Sequence, residues 1–181
     1  SGFTYRSATD LDLERFRVPL PGEHQATNAA LALAVVEAAG HALDPVSSRT
    51  ALAGVRWAGR FQVLERPDGT VILDVAHNPA GARALDETLR RIPAPEPIVG
   101  LIGILGDKSW REMLEPVLRH TSAAVFTMPQ SAPQARRWNP VEASRAVPGH
   151  RIEVISDFDR AFRRARELAG DGTVLVTGSS H

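Results

Sequence analysis

The stretch Val71-Ile-Leu-Asp-Val-Ala-His-Asn-Pro79 runs directly into a helix-forming segment over residues 80–91. An apolar run ending in an acid reads as a buried strand, and the His-Asn-Pro turn then opens a helix. Asn78 suits the N-cap, because its side-chain oxygen can accept a free helix amide, and Pro79 suits the first helical position. A strand that passes through a capped turn into a helix constrains the chain to an α/β architecture. It also sets Asp74 and His77 at the carboxyl end of a strand beside a helix N-terminus. In open α/β sheets that crevice receives nucleotides and other anionic ligands.

The same alternation continues downstream. Strands are expected at residues 61–65, 71–75, 98–105, 123–127, 152–155 and 174–177, and helices at 79–91, 110–120, 140–146 and 158–168. Asp68-Gly69 marks a hairpin between the first two strands, which supplies an antiparallel edge. Together these define a Rossmann-like α/β fold: a mostly parallel sheet of about six strands with helices on both faces. Upstream, residues 1–20 are polar and read as irregular, with one short strand at residues 3–6. Pro19-Leu-Pro-Gly22 is a turn. Residues 23–39, rich in Ala, Leu and Val, form a helix that Gly40 ends at C′, and its small residues imply close packing against another element. Asp44-Pro45 reads as linker, with Ser47 or Ser48 capping a short helix through Leu52.

Composition narrows the function. At 181 residues and 43% hydrophobic, the chain can bury one substantial core. Basic and acidic residues number 21 each, and this balance argues against nucleic-acid and membrane-surface roles, which need a basic excess. The absence of cysteine excludes disulfides and thiolate metal sites and is compatible with a cytoplasmic protein, the expected location. No apolar run has the length of a membrane span, and no signal peptide is recognisable. The chain opens at Ser1-Gly2 and ends at Gly178-Ser-Ser-His181, straight after an apolar strand; the expectation is a fragment of a longer protein.

Several residues are candidates for chemistry, each with two readings. Asp74 can accept hydrogen bonds from a ribose hydroxyl, or cap the turn that follows it. His77 can reach a phosphate at a helix N-terminus, or serve only the turn. Arg60, in Trp57-Ala-Gly-Arg-Phe61, offers a planar fork to phosphate oxygens, although spacing alone favours an arginine that merely tops an edge strand. His24 and Asn28 lie four apart on one helix face, open to a ligand or to water. Gly103-Ile-Leu-Gly-Asp-Lys-Ser109 lacks the GxxxxGK[ST] spacing of a P-loop; Lys108 is its charged candidate, and Ser109 suits the N-cap of the next helix. The loop 131–139 holds Arg136 and Arg137, available for anions or simply solvated. No catalytic residue and no metal ligand stands out.

Taken in order, Leu20-Pro-Gly-Glu-His-Gln-Ala-Thr-Asn-Ala-Ala30, Trp57-Ala-Gly-Arg-Phe61 and Leu73-Asp-Val-Ala-His-Asn-Pro79 resemble the folylpolyglutamate synthase / dihydrofolate synthase family of the Mur ligase superfamily. Gly106-Asp-Lys108 and Thr177-Gly-Ser179 are weaker matches. The resemblance implies an ATP-dependent ligase that adds glutamate to folate or dihydropteroate through an acyl phosphate. It places Asn28 near the adenine, Arg60 on the phosphates, Asp74 on the ribose and His77 near ribose and phosphate. Lys108, Arg136 and Arg137 become candidates for the glutamate site. It further implies that residues 1–42 are the tail of a central ATPase domain, 43–58 a linker and 59–181 the C-terminal domain. The family's P-loop and Mg²⁺ ligands belong to the N-terminal central domain, which would be this chain's missing partner. None of that machinery is in these 181 residues, so the isolated chain is expected to be inactive. Two smaller departures are Ser109, where the family often has an acid, and the missing tail beyond Gly-Ser. Another Mur-type ligase acting on a peptidoglycan precursor, or a non-catalytic nucleotide-binding module, are the alternatives.

Overall fold

The computed structural model describes residues 2–6 and 12–179; Ser1 and the final Ser180-His181 lie outside them. The chain divides into two compact units, Ser1–Ala58 and Gly59–His181.

In the first unit, β1 (Gly2–Arg6) pairs antiparallel with β2 (Asp12–Arg17). The sequence suggests only the first of these strands. The reason for the miss is a register shift between Phe3 and Tyr5: Phe3 faces Phe16 while Tyr5 faces Leu13. That irregularity breaks the period of two by which a half-buried strand is recognised. Phe16 is fully buried and its ring stacks on Phe3, with centroids 5.5 Å apart. Helix α1 (His24–Ala38) ends at Gly40, whose φ of +83° fits the C′ role read from the sequence. Leu33 packs with Phe16 to form the small core of this unit. On its other side, α1 leaves Leu31 62% and Val35 60% exposed. Helix α2 (Pro45–Ala53) starts two residues before the expected cap at Ser47 or Ser48. Its cap is Asp44, whose carboxylate accepts the Ser47 amide at 2.7 Å, and Pro45 occupies the first helical position.

The second unit contains β3 (Gln62–Arg66), β4 (Gly69–Asp74), α3 (Pro79–Arg91), β5 (Ile98–Ile102), α4 (Trp110–Leu118), β6 (Ala123–Phe126), α5 (Pro140–Arg145), β7 (Ile152–Val154), α6 (Phe158–Ala169) and β8 (Thr173–Thr177). The six strands lie in the order β3-β4-β8-β5-β6-β7, and every pair is parallel except the β3–β4 edge hairpin. The α/β expectation therefore holds, including the antiparallel edge. Both faces of the central strands are covered, so β5 and β6 are apolar and buried throughout and β8 nearly so, while the edge strand β3 carries polar and charged residues. Ile72, Ile102, Phe126 and Leu175 pack against Leu85, Met113 and Leu114 of α3 and α4. Val99, Leu101, Val125 and Val174 face Ala161, Ala165 and Ala169 of α6, and these small side chains let that helix approach the sheet closely.

Local differences from the sequence reading have local causes. β5 stops at Ile102 rather than 105, and Leu105 makes only an isolated bridge to Arg137. Ser109 holds the cap position of α4, but its side chain makes no capping bond. Asn78 does cap α3 as expected, accepting the Gly81 amide at 2.8 Å. Asp86 is 7% exposed within α3. A buried carboxylate needs partners; it has Arg90, Arg119 and His120 at 2.9, 3.2 and 2.6 Å, which tie α3 to the end of α4.

Candidate functional site

The last strand in sequence, β8, inserts between β4 and β5. Asp74, Thr177 and Ile102 therefore stand at one level where the three strands end. Asp74 is half-buried there, and its two oxygens serve two segments. Oδ2 accepts the amide of Phe61 and Oδ1 the amide of Ala76, each at 2.9 Å. The backbone before β3 is thus drawn against the turn after β4. Two further bonds fasten it: Val75 N–H donates to the Gly59 carbonyl at 2.8 Å, and Gly59 N–H donates to Gln62 Oε1 at 3.2 Å. The turn is tight enough that a Cβ on Gly59 would lie 2.7 Å from Val75 Cγ1. Arg60 sits between two left-handed residues, Gly59 at φ +71° and Phe61 at φ +46°. Glycine takes that conformation freely; phenylalanine does not.

His77 follows on the same edge. Its Nδ1 lies 2.9 Å from the Val75 carbonyl, so Nδ1 carries the hydrogen and donates it. Nε2 is left for a ligand. A neutral ring offers it as an acceptor for a hydroxyl, and a protonated ring offers a second N–H to an anion. Both options lie beside the N-terminus of α3, where the helix dipole favours negative charge.

β5 and β8 leave the sheet in direct contact. The Gly103 amide donates to the Thr177 carbonyl at 3.1 Å, and a Cβ on Gly178 (φ +106°) would fall 2.7 Å from the Gly103 carbonyl oxygen. Between them, Thr177 Oγ1 is buried without a hydrogen-bond partner. The sequence reading did not single out this hydroxyl, although its signal, a polar residue closing an apolar strand, is the one that exposed Asp74. The conformations of Gly59 and Phe61 leave no comparable trace in sequence.

The basic candidates separate on inspection. Arg136, read as available for anions, is already paired with Asp107, through Nε at 3.0 Å and Nη2 at 2.9 Å. The Gly106 amide donates to the Arg136 carbonyl at 2.7 Å, which folds a short 3-10 turn, Gln134–Arg136, over the β5–α4 connection. Arg137, in the β6–α5 loop, is exposed, and Lys108, on the β5–α4 connection, is half-buried. Asn28 belongs to the first unit, on α1, where its Nδ2 donates to Gln25 Oε1 at 3.2 Å.

Hydrogen bonding from Arg136 holds the Asp107 carboxyl below its ordinary value of 3.8, against the opposing effect of desolvation. A depressed folded-state value means the contact is fully present above the unfolded value and is lost as pH falls through the folded one. The loop should stay closed from neutral pH down past 4 and open only below; following the Asp107 carboxyl and the Gly106 amide by NMR checks this. Opening at pH 5 would contradict the pairing.

The second unit is thus a doubly wound α/β domain that gathers an acid, a histidine and a capped helix N-terminus where its central strands end, the edge at which such sheets bind ligands. Residues 59–181 match the Mur ligase, glutamate ligase domain, and the chain belongs to that family. It is 47% identical over 167 residues to a dihydrofolate synthase/folylpolyglutamate synthase of Mycobacterium tuberculosis, covering 88% of this chain and 32% of the relative. It is 33% identical over 176 residues to a UDP-N-acetylmuramyl-tripeptide synthetase of Leifsonia xyli, covering 91% and 34%. Among solved structures, M. tuberculosis folylpolyglutamate synthase complexed with ADP and AMPPCP superposes with a TM-score of 0.80 at 33% identity, over 92% of this chain and 40% of that one. The chain spans about a third of the length of the curated relatives it matches.

Proposed function

We propose that this chain is the C-terminal part of an ATP-dependent ligase that adds glutamate to a folate or dihydropteroate carboxylate. In that reaction the carboxylate attacks the γ-phosphate, giving an acyl phosphate and ADP. The glutamate amine then attacks the acyl carbon and displaces phosphate. The observation that carries the reading is the bonding of Asp74 to Phe61 and Ala76, which collects Arg60, Asp74 and His77 at one strand edge beside the capped α3. Arg60 contacts phosphate oxygens, Asp74 the ribose hydroxyls, and His77 Nε2 the ribose or phosphate. Asn28 lies near the adenine. Lys108 and Arg137 are the cations for the glutamate carboxylates, with Arg136 engaged in holding its loop to Asp107.

Phosphoryl transfer rests on positioning and charge neutralisation, mainly by a phosphate cradle and a metal. Among the described residues no group of three or more His, Cys, Asp or Glu converges to hold a metal, and no step is assigned to one on this chain. Mg²⁺ and the cradle belong, in this reading, to a preceding central domain. Residues 1–42 are its tail, 43–58 the linker and 59–181 the C-terminal domain. Division of the chain at residue 58 supports the boundary before the C-terminal domain, and the exposed Leu31 and Val35 of α1 fit a helix taken from a larger domain. Leu43 and Leu52 pack on the Phe16 core, so the 43–58 segment is part of the first compact unit. The isolated chain binds ATP weakly and does not turn over.

ATP titrated into the chain at millimolar concentration is expected to shift the amides of residues 60–61 and 74–78. Added glutamate and dihydropteroate should release no phosphate. Absence of those shifts would refute the nucleotide site, and turnover by this polypeptide alone would refute the division of labour. The 33% identity to a tripeptide synthetase favours one second reading, a ligase acting on a peptidoglycan precursor. Assaying the longer ligase with dihydropteroate and with a muramyl peptide separates the two.

A further inference from the structure

We propose that Asp74 is a positioning residue for Arg60, so that one carboxylate sets both the ribose end and the phosphate end of the nucleotide site. The inference rests on the nucleotide reading above and adds a mechanism to it.

The carboxylate bridges residues thirteen apart in sequence, Phe61 and Asp74. Phe61 is 3% exposed, with its ring in the core beneath α3, and its φ of +46° is unfavourable for a side chain of that size. A residue held there must be held by its surroundings. Here the buried ring fixes one side of the residue and the Asp74 bond fixes its amide. At the other end of the turn, the Gly59 carbonyl and amide are bonded to Val75 and Gln62. The root of Arg60 therefore lies between two fastened points, although the residue precedes an edge strand. A long guanidinium side chain whose backbone is already placed loses less freedom when it meets a phosphate.

The device needs a carboxylate, since both oxygens accept a backbone N–H. An asparagine keeps one acceptor and turns its NH₂ toward the other amide, so Asp74→Asn breaks one of the two bonds whichever way it is oriented.

The test separates phosphate from ribose by using ligands that contain only one of them. Inorganic tripolyphosphate and adenosine are titrated separately into the 181-residue chain, followed by amide chemical shifts. Arg60→Ala should weaken tripolyphosphate binding about tenfold or more, as loss of hydrogen bonds to a charged group does. Asp74→Asn should weaken it about fivefold, although tripolyphosphate has no ribose for the carboxylate to touch, and should shift the Phe61 amide. A variant that is merely destabilised would show a lowered urea midpoint and amide shifts spread over the whole unit. Asp74→Asn should instead keep a midpoint close to the parent's and shift only the amides around residues 60–61 and 74–77. If Asp74→Asn binds tripolyphosphate as the parent does and loses affinity only for adenosine, Asp74 serves the ribose alone and the proposal is overturned. If Arg60→Ala leaves tripolyphosphate binding unchanged, the nucleotide reading itself fails and takes the proposal with it. Should Asp74→Asn not fold, hydrogen exchange on the parent chain decides: the Phe61 amide is to be protected as well as that of Ala76, and an unprotected Phe61 amide overturns the proposal.

Discussion

Arg60→Ala is expected to weaken ATP binding by the second unit by about 10- to 100-fold, while adenosine binding changes little. Hydrogen bonds from a guanidinium to phosphate oxygens are charge-assisted, each worth about 1.5–3 kcal/mol, and tenfold in affinity corresponds to about 1.4 kcal/mol. Arg60→Lys keeps the charge but replaces a planar fork with a point donor on a stem of different reach. Because Gly59 and Phe61 hold the backbone at this position, the lysine cannot recover the geometry by moving its root. An intermediate loss of about five- to tenfold follows for lysine, with a steeper dependence on salt than in the parent. Calorimetric titration with ATP and with adenosine measures both. Equal losses for the two ligands would mean that Arg60 supports the domain and not the phosphates.

What the sequence made legible here was whatever depends on neighbours along the chain. The Asn78 cap, Pro79, the C′ role of Gly40 and the burial of both sheet faces all follow from short-range pattern, and all are present. Asp74 was legible as an acid closing an apolar strand and able to cap the turn after it, as its bond from the Ala76 amide shows. Its bond from Phe61 was not, because Phe61 is distant in sequence and reaches it only through the β3–β4 hairpin. Arg136 illustrates the same limit in reverse. A free-looking arginine in a polar loop is paired with Asp107, 29 residues before it, once the 3-10 turn folds over the β5–α4 connection. β2 was missed for another reason, a register shift that removes the alternation a strand is recognised by. Asp44 was misread since Asp-Pro marks both a linker and a cap followed by a first helical residue; only the Ser47 amide decides.

The largest stability change is expected on β8, where of two substitutions on one face of one strand only one should destabilise. Leu175 is fully buried between the parallel neighbours β4 and β5 and packs into the cluster shared with α3 and α4. Leu175→Ala removes that packing where the flanking backbones are hydrogen-bonded on both sides and cannot close in. A loss of about 3–4 kcal/mol follows, toward the upper part of the range for buried leucines. Urea denaturation should register it as a lower midpoint with an unchanged slope. Two residues on, Thr177 points to the same face, and its Oγ1 is buried without a partner. Its desolvation is uncompensated, at a cost of about 1–3 kcal/mol, so Thr177→Val, nearly the same in shape, should be neutral or gain about 1 kcal/mol. The contrast makes the argument specific: burial alone would predict that both changes destabilise, and only the missing hydrogen bond separates them. If Thr177→Val costs 1 kcal/mol or more, the hydroxyl is bonded in solution, and the strand end beside Asp74 holds an ordered water in the ligand-free protein.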